Sequence, residues 1–156
     1  VDPVSLSFRS SPHTVAFFAG SGVDHKMVPP LDFIQSCPRP VREKFRKLLV
    51  EIAKAPPWKY SGGGYWEAMH GDLSGWFEIR VDGPNREHFR LFCRLDYFAV
   101  GVDGPLLVVI AGLRKSFGST FKASDYASDL LLARGIFLRT LASWHNRFGV
   151  FGLQWF

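Results

Sequence analysis

The sequence predicts an α+β fold: a small antiparallel sheet packed against an N-terminal helical segment and a C-terminal helix. Three observations carry that prediction. Apolar residues recur at helical spacing between Val41 and Ile52, residues 76–96 alternate with period two around a turn, and "PLLVVIAG" (105–112) is apolar throughout.

The helix is the clearest element. Val41, Phe45, Leu48, Leu49 and Ile52 fall at i, i+4, i+7, i+8 and i+11, which is one face of an α-helix. Pro40 suits its first turn, and Pro56-Pro57 ends it because proline cannot continue the hydrogen-bond ladder. Its other face carries Arg39, Arg42, Lys44, Arg46, Lys47 and Lys54 against Glu43 and Glu51. That excess is either a solvated helix face or a contact for an anion. Before the helix, "HTVAFFAG" (13–20) reads as a short apolar strand. After it, Gly62-Gly63-Gly64 lacks the Lys-Ser/Thr of a phosphate-binding loop and reads as a mobile connection to a short strand around residues 65–69.

The two alternating runs are "WFEIRVD" and "HFRLFCRLDY", joined by "DGPN", whose residues favour turns. Phe77, Ile79 and Val81 alternate with Trp76, Glu78, Arg80 and Asp82. Phe89, Leu91, Cys93 and Leu95 alternate with His88, Arg90, Phe92, Arg94 and Asp96. If both apolar rows face one core, Arg80, Arg90 and Arg94 share the opposite side, expected to face solvent. Arg90 and Arg94 would stand about 13 Å apart at about 3.3 Å per residue, a spacing that suits a phosphate chain better than one small anion. The apolar run 105–112 should be a central strand covered on both faces, with Arg114 and Lys115 emerging at its end. "TFKASDYASDLLLARGIFLRTLASW" reads as the terminal helix, with Ser124-Asp125 as its N-cap. The last residues, "FGVFGLQWF", are aromatic and uncharged; they would pack on the core, mediate self-association or be foreign to the domain.

Composition bounds the function. The 156 residues carry a net charge of +5, 47% hydrophobic and 15% aromatic side chains, a globular balance compatible with an anionic partner. Cys37 and Cys93 are the only cysteines and form no metal-ligand spacing, so no metal and no cofactor is expected, and two thiols suit a reducing cytoplasm. No apolar run reaches membrane-spanning length, and "VDPVSLSFRSSPHTVAFFAG" lacks the pattern of a signal peptide, so a cytoplasmic location is expected. The expected layout is a flexible leader (1–12), one domain (13–130) and a helical, aromatic extension (131–156).

The order strand, helix, antiparallel hairpin, buried strand with a basic end and terminal helix resembles the RelE/HigB superfamily of toxins from type II toxin–antitoxin systems, in particular its phage-derived branch. "VAFFAGSG", "PPLDFIQSCPRPVREKFRKLLVEIAKAPP", "GWFEIRV", "FRLFCRLD", "VVIAGLRKS" and "ASDYAS" carry the resemblance over about residues 14–130. It implies a RelE/ParE-like fold and a metal-independent mRNA endoribonuclease acting at the ribosome. It also implies a cognate antitoxin, expected to be a helix-turn-helix protein, as partner. On this resemblance Arg80, Arg90 and Lys115 are the catalytic cations, while Cys93 stands where an aromatic is usual and Ser116 where a second lysine is usual.

The residue chemistry fits such a role. Guanidinium stays charged and grips phosphate oxygens bidentately. His88, one strand position from Arg90 and on its face, is the candidate for proton transfer, with His70 in a Gly-flanked loop as an alternative. Arg94, Arg114, Arg86 and Trp76 would bind RNA, with Trp66 and Phe92 as further stacking surfaces or simply packing. Glu78 would pair with Arg80. On this reading Arg90→Ala would abolish activity and leave the fold intact. The alternatives are a sheet face salt-bridged through Glu78, Asp82, Glu87 and Asp96, a non-catalytic toxin that blocks a target such as DNA gyrase, and a phage-derived interaction module.

Overall fold

A computed structural model describes residues 12–18, 29–54, 64–97, 104–116, 123–126 and 148–149. They form an α+β structure: one mixed sheet with two helices. The elements are β1 (Thr14–Phe18), α1 (Pro29–Ser36), α2 (Arg39–Lys54), β2 (Trp66–Ala68), β3 (Trp76–Gly83), β4 (Glu87–Asp96), β5 (Leu106–Ser116) and β6 (Phe148–Gly149). Three single 3-10 turns, Gly71–Leu73, Pro84–Arg86 and Ala123–Tyr126, complete the set. The sheet order is β2-β3-β4-β5-β1-β6.

The helical reading holds closely. α2 buries Val41, Phe45, Leu49 and Ala53, with Leu48 and Ile52 half-buried on the same side. The β3–β4 hairpin also keeps the anticipated alternation. Phe77, Ile79, Val81, Phe89, Leu91, Cys93 and Leu95 join the helices in one core, together with Val15, Phe17, Leu107 and Val109 of β1 and β5. Each large aliphatic or aromatic side chain so buried contributes about 1.5–3 kcal/mol.

Two expectations about the sheet need correcting. It is not purely antiparallel: β1 lies inside the sheet and runs parallel to β5, with Thr14 opposite Leu106 and Phe17 opposite Val109. The reason is local. "VAFF" is buried on both faces, which suits an interior strand with β5 on one side and β6 on the other. Nor is the face away from the helices uniformly solvated. Ala16, Phe18, Leu73, Trp76, Phe92, Leu106, Val108, Ile110 and Ala111 form a second buried cluster there. Thus the far face is apolar across β1 and the first half of β5, while β2, β3, β4 and the end of β5 bring charged residues to it.

The tail's Phe148–Gly149 pairs antiparallel with Phe17 and Phe18, so this piece of the aromatic extension belongs to the same sheet. Of the expected terminal helix, the described part is the 3-10 turn Ala123–Tyr126; the leader and the remaining helical stretch lie outside the described residues.

One irregularity positions the site. Phe92 opposes Ala111 and Cys93 opposes Val109, so Ile110 is an extra residue, a β-bulge in β5. Ile110 and Ala111 both belong to the far-face cluster. The bulge inverts the parity of everything after it. Leu113 and Lys115 then share the far face with Arg90 and His88, whereas Gly112 and Arg114 share the helix face with Leu91 and Phe89.

Candidate functional site

The polar part of the far face is built on three adjacent strands. Arg80 of β3 stands opposite Arg90 of β4, and Asp82 opposite His88. His88 in turn stands opposite Lys115 of β5. Cross-strand neighbours lie about 4.5–5.5 Å apart at Cβ, so strand alternation and register bring Arg80, His88, Arg90 and Lys115 into one patch. The bulge is what admits Lys115 to this patch.

Each cation in the patch also has an acidic partner. Asp82 accepts from His88 through Nδ1 at 2.6 Å and from Arg90 Nη1 at 3.4 Å. The hydrogen bond with His88, ahead of the Arg90 charge, holds the Asp82 carboxyl below the usual aspartate value. Lys115 Nζ donates to Asp125 Oδ2 at 2.6 Å. Arg80 Nε donates to Glu78 Oε1 at 2.6 Å, and its Nη1 lies 3.8 Å from Glu67 Oε1. The side chains of Glu67 and Glu78 are only 10% and 8% exposed, and these two residues face one another across β2 and β3.

These pairs are unequal. Asp82 is 69% exposed, so its ion pairs are screened and worth about 0–1 kcal/mol each. Glu67 and Glu78 are nearly dry. Taking Arg80 from them would leave two carboxylates buried without their cation, a cost of several kcal/mol. Arg80 therefore serves as the counter-ion of Glu67 and Glu78, while its own side chain stays 41% exposed. The pairing of Glu78 with Arg80 that the sequence suggested is present.

Arg90 differs from expectation as well. Its side chain is only 12% exposed, and Nη1 also donates to the Val81 carbonyl at 3.4 Å and to its own neighbour's carbonyl, that of Phe89, at 3.0 Å. The guanidinium is clamped onto the hairpin backbone, so Arg90→Ala would cost stability as well as charge.

The flanking residues separate by face. Arg94 lies four residues along β4 from Arg90, with its guanidinium 4.8 Å over the Trp76 ring. Burial lowers its pKa, with Asp96 acting in the opposite direction. Trp76 is 3% exposed and stacks on Phe92 at 4.7 Å, so its ring belongs to the second core and has no free face for a base. Trp66, 5% exposed, is likewise stacked on Phe77. Arg114 lies on the helix face, over the Phe89 ring and bidentate to Glu87, with Nη2–Oε1 at 2.8 Å. The bulge therefore puts it on the opposite face of the sheet from Arg90 and Lys115. Arg86 is exposed at the hairpin tip, where it and Asn85 both take left-handed backbone angles, φ 57° and 61°. His70 is exposed and precedes the 3-10 turn Gly71–Leu73, away from this row of register partners.

Sequence reasoning left out two residues. Asp82 was legible only as a salt-bridge partner, although its place on the alternating row already put it beside His88. Asp125 read as a helix cap, and nothing local ties it to Lys115 ten residues earlier. Among the described residues, no group of three or more His, Cys, Asp or Glu is arranged to hold a metal ion. Neither thiol takes part: burial pushes Cys37 up to about 11 and raises Cys93 further. No family model, no curated protein and no solved structure matches the chain.

Proposed function

We propose that the chain is a toxin of a type II toxin–antitoxin pair that cleaves mRNA at the ribosome without a metal and is neutralised by a cognate antitoxin. The observation that carries this reading is the row Asp82, His88, Lys115 on neighbouring strands, with Arg90 beside it. A carboxylate on His88 Nδ1 turns the other ring nitrogen, Nε2, into the group that exchanges a proton. In the proposed step His88 takes the proton of a ribose 2′-OH. The 2′ oxygen then attacks the adjacent phosphorus, and the P–O5′ bond breaks. Lys115 gives a proton to the departing 5′ oxygen, leaving a 2′,3′-cyclic phosphate and a free 5′-OH. Arg90 and Lys115 supply positive charge to the phosphorane oxygens, and Arg86 and Arg94 border the path of the strand.

A second reading is favoured by one observation: each cation already has a carboxylate partner. A protein of this kind that binds and blocks its target without cleaving fits that pairing.

Primer extension on mRNA after brief induction separates the two. The nuclease reading expects new 5′ ends that vanish in His88→Gln and in Lys115→Gln, each with a loss of about 10²–10⁴ in cleavage. Growth arrest with intact mRNA would select the blocking protein instead. Unchanged growth and intact mRNA, with the protein folded and expressed, would dismiss both.

A further inference from the structure

We infer that Asp125 is a built-in competitor for Lys115: its carboxylate occupies the cation that a phosphate of a bound strand would take, so the turn carrying it sets how readily the site accepts an anion. The inference rests on the RNA-directed reading above and adds regulation of that site.

The partners of the patch fall into two kinds. Asp82 belongs to β3, and Glu67 and Glu78 belong to β2 and β3, so the backbone that carries each of them is held in the sheet. Asp125 belongs to the 3-10 turn Ala123–Tyr126. Asp125 thus reaches Lys115 from outside the sheet. A single 3-10 turn has few and poorly aligned backbone bonds to hold it.

The pair also has the right balance of strength and access. Lys115 Nζ to Asp125 Oδ2 is 2.6 Å, the length of a strong charge-assisted hydrogen bond, and it presents the ammonium with an oxygen much as a phosphate would. The two side chains are 27% and 23% exposed. They are neither fully solvated, where the contact would be negligible, nor dry, where breaking it would be prohibitive. An incoming phosphodiester exchanges one anionic oxygen for another on the same ammonium, while Asp125 swings into water. The competition costs wild-type affinity and gives the bare site protection against adventitious anions.

The test is the affinity of the full chain for a fluorescent single-stranded oligonucleotide with 2′-deoxy sugars, which cannot be cleaved by this chemistry. Wild type, Asp125→Asn, Asp125→Ser, Lys115→Gln and the double variant Asp125→Asn/Lys115→Gln are compared, with thermal melts in parallel. Asp125→Asn is expected to bind about two- to fivefold tighter. That gain should disappear in the Lys115→Gln background, where there is no ammonium to release. Asp125→Ser, which also lacks the charge, should bind like Asp125→Asn and gives the same reading if the Asn variant does not fold. Equal or weaker binding by the folded Asp125 variants would overturn the inference. So would a gain that persists without Lys115, since that is the mark of a general charge effect. Cleavage of the matching ribo-oligonucleotide is scored separately. Tightening without any cleavage keeps the competitor and discards the nuclease. Cleavage with affinity unaltered by Asp125→Asn keeps the nuclease and discards the competitor.

Discussion

Arg80 and His88 stand two register positions apart on one face, yet their surroundings differ sharply. His88 has a solvent-exposed Asp82 as its partner, an arrangement that orients the imidazole without burying the carboxylate. Arg80 neutralises two carboxylates that are almost fully buried. Its loss would strand them, so Arg80→Ala should destabilise the fold by about 2–4 kcal/mol, somewhat below the cost of breaking a fully buried pair because Arg80 itself is part-exposed. Thermal or urea unfolding at neutral pH reads this directly. Replacing Glu67 and Glu78 by Gln in the Arg80→Ala background should recover much of the loss. A normal melt with lost activity would instead point to Arg80 acting on the substrate. Arg80 was legible in the sequence as a strand arginine but not as a counter-ion, because Glu67 comes from a different strand, thirteen positions upstream.

At the scale of elements, the contact that decides the geometry is α1 lying on β5. Gly112 follows the bulge and faces the helices, and a Cβ built there would overlap the Phe33 ring. The helix therefore rests on bare backbone, and Phe33 fills the space that a side chain at 112 would claim. Gly112→Ala should cost about 1–3 kcal/mol by overpacking, measured by chemical unfolding. Shortening the ring partner, as in Phe33→Leu, should make the two changes less than additive, a coupling that a double-mutant cycle resolves. Strict additivity would mean that α1 does not sit on this position. The same close approach fixes β5 beneath α1 while its far face carries Lys115, so packing on one side of the strand supports the cation on the other.

For the whole molecule, charge pairing makes stability depend on pH in a calculable direction. Asp82 is held below its ordinary value mainly by its bond to His88, and Glu87 mainly by its bidentate bond to Arg114. A carboxyl whose folded pKa is depressed adds stability that is complete above its unfolded value, here 3.8 for Asp82 and 4.5 for Glu87, and that disappears as pH falls through the folded value. The melting temperature should therefore hold steady on these two accounts from neutrality to about pH 5 and fall below that. Asp82→Asn should flatten part of the acid slope, and added salt should weaken it, because both pairs reach water. An acid limb unchanged by Asp82→Asn would show that the His88 contact contributes nothing to the fold in solution. No helix among the described residues is long and apolar enough to cross a membrane.

What the residues settled alone was periodic and local. The 3.6-residue spacing of Val41, Phe45 and Leu49 and the two-residue alternation of the hairpin follow from backbone geometry, so the helix, the hairpin and the division of Arg80, Arg90 and Arg94 from the apolar row were all legible. Tertiary structure decided what depends on distant segments. It set β1 beside β5 in parallel, because strand pairing is a contact between residues some ninety positions apart. It covered half of the far face with a second core and so took Trp76 out of reach of any base. Above all, it placed one extra residue, Ile110, in β5. Strict alternation from Val108 would have set Arg114 on the far face and Lys115 against the helices. The bulge exchanged them, since inserting a single residue into a strand reverses the side on which every later side chain stands.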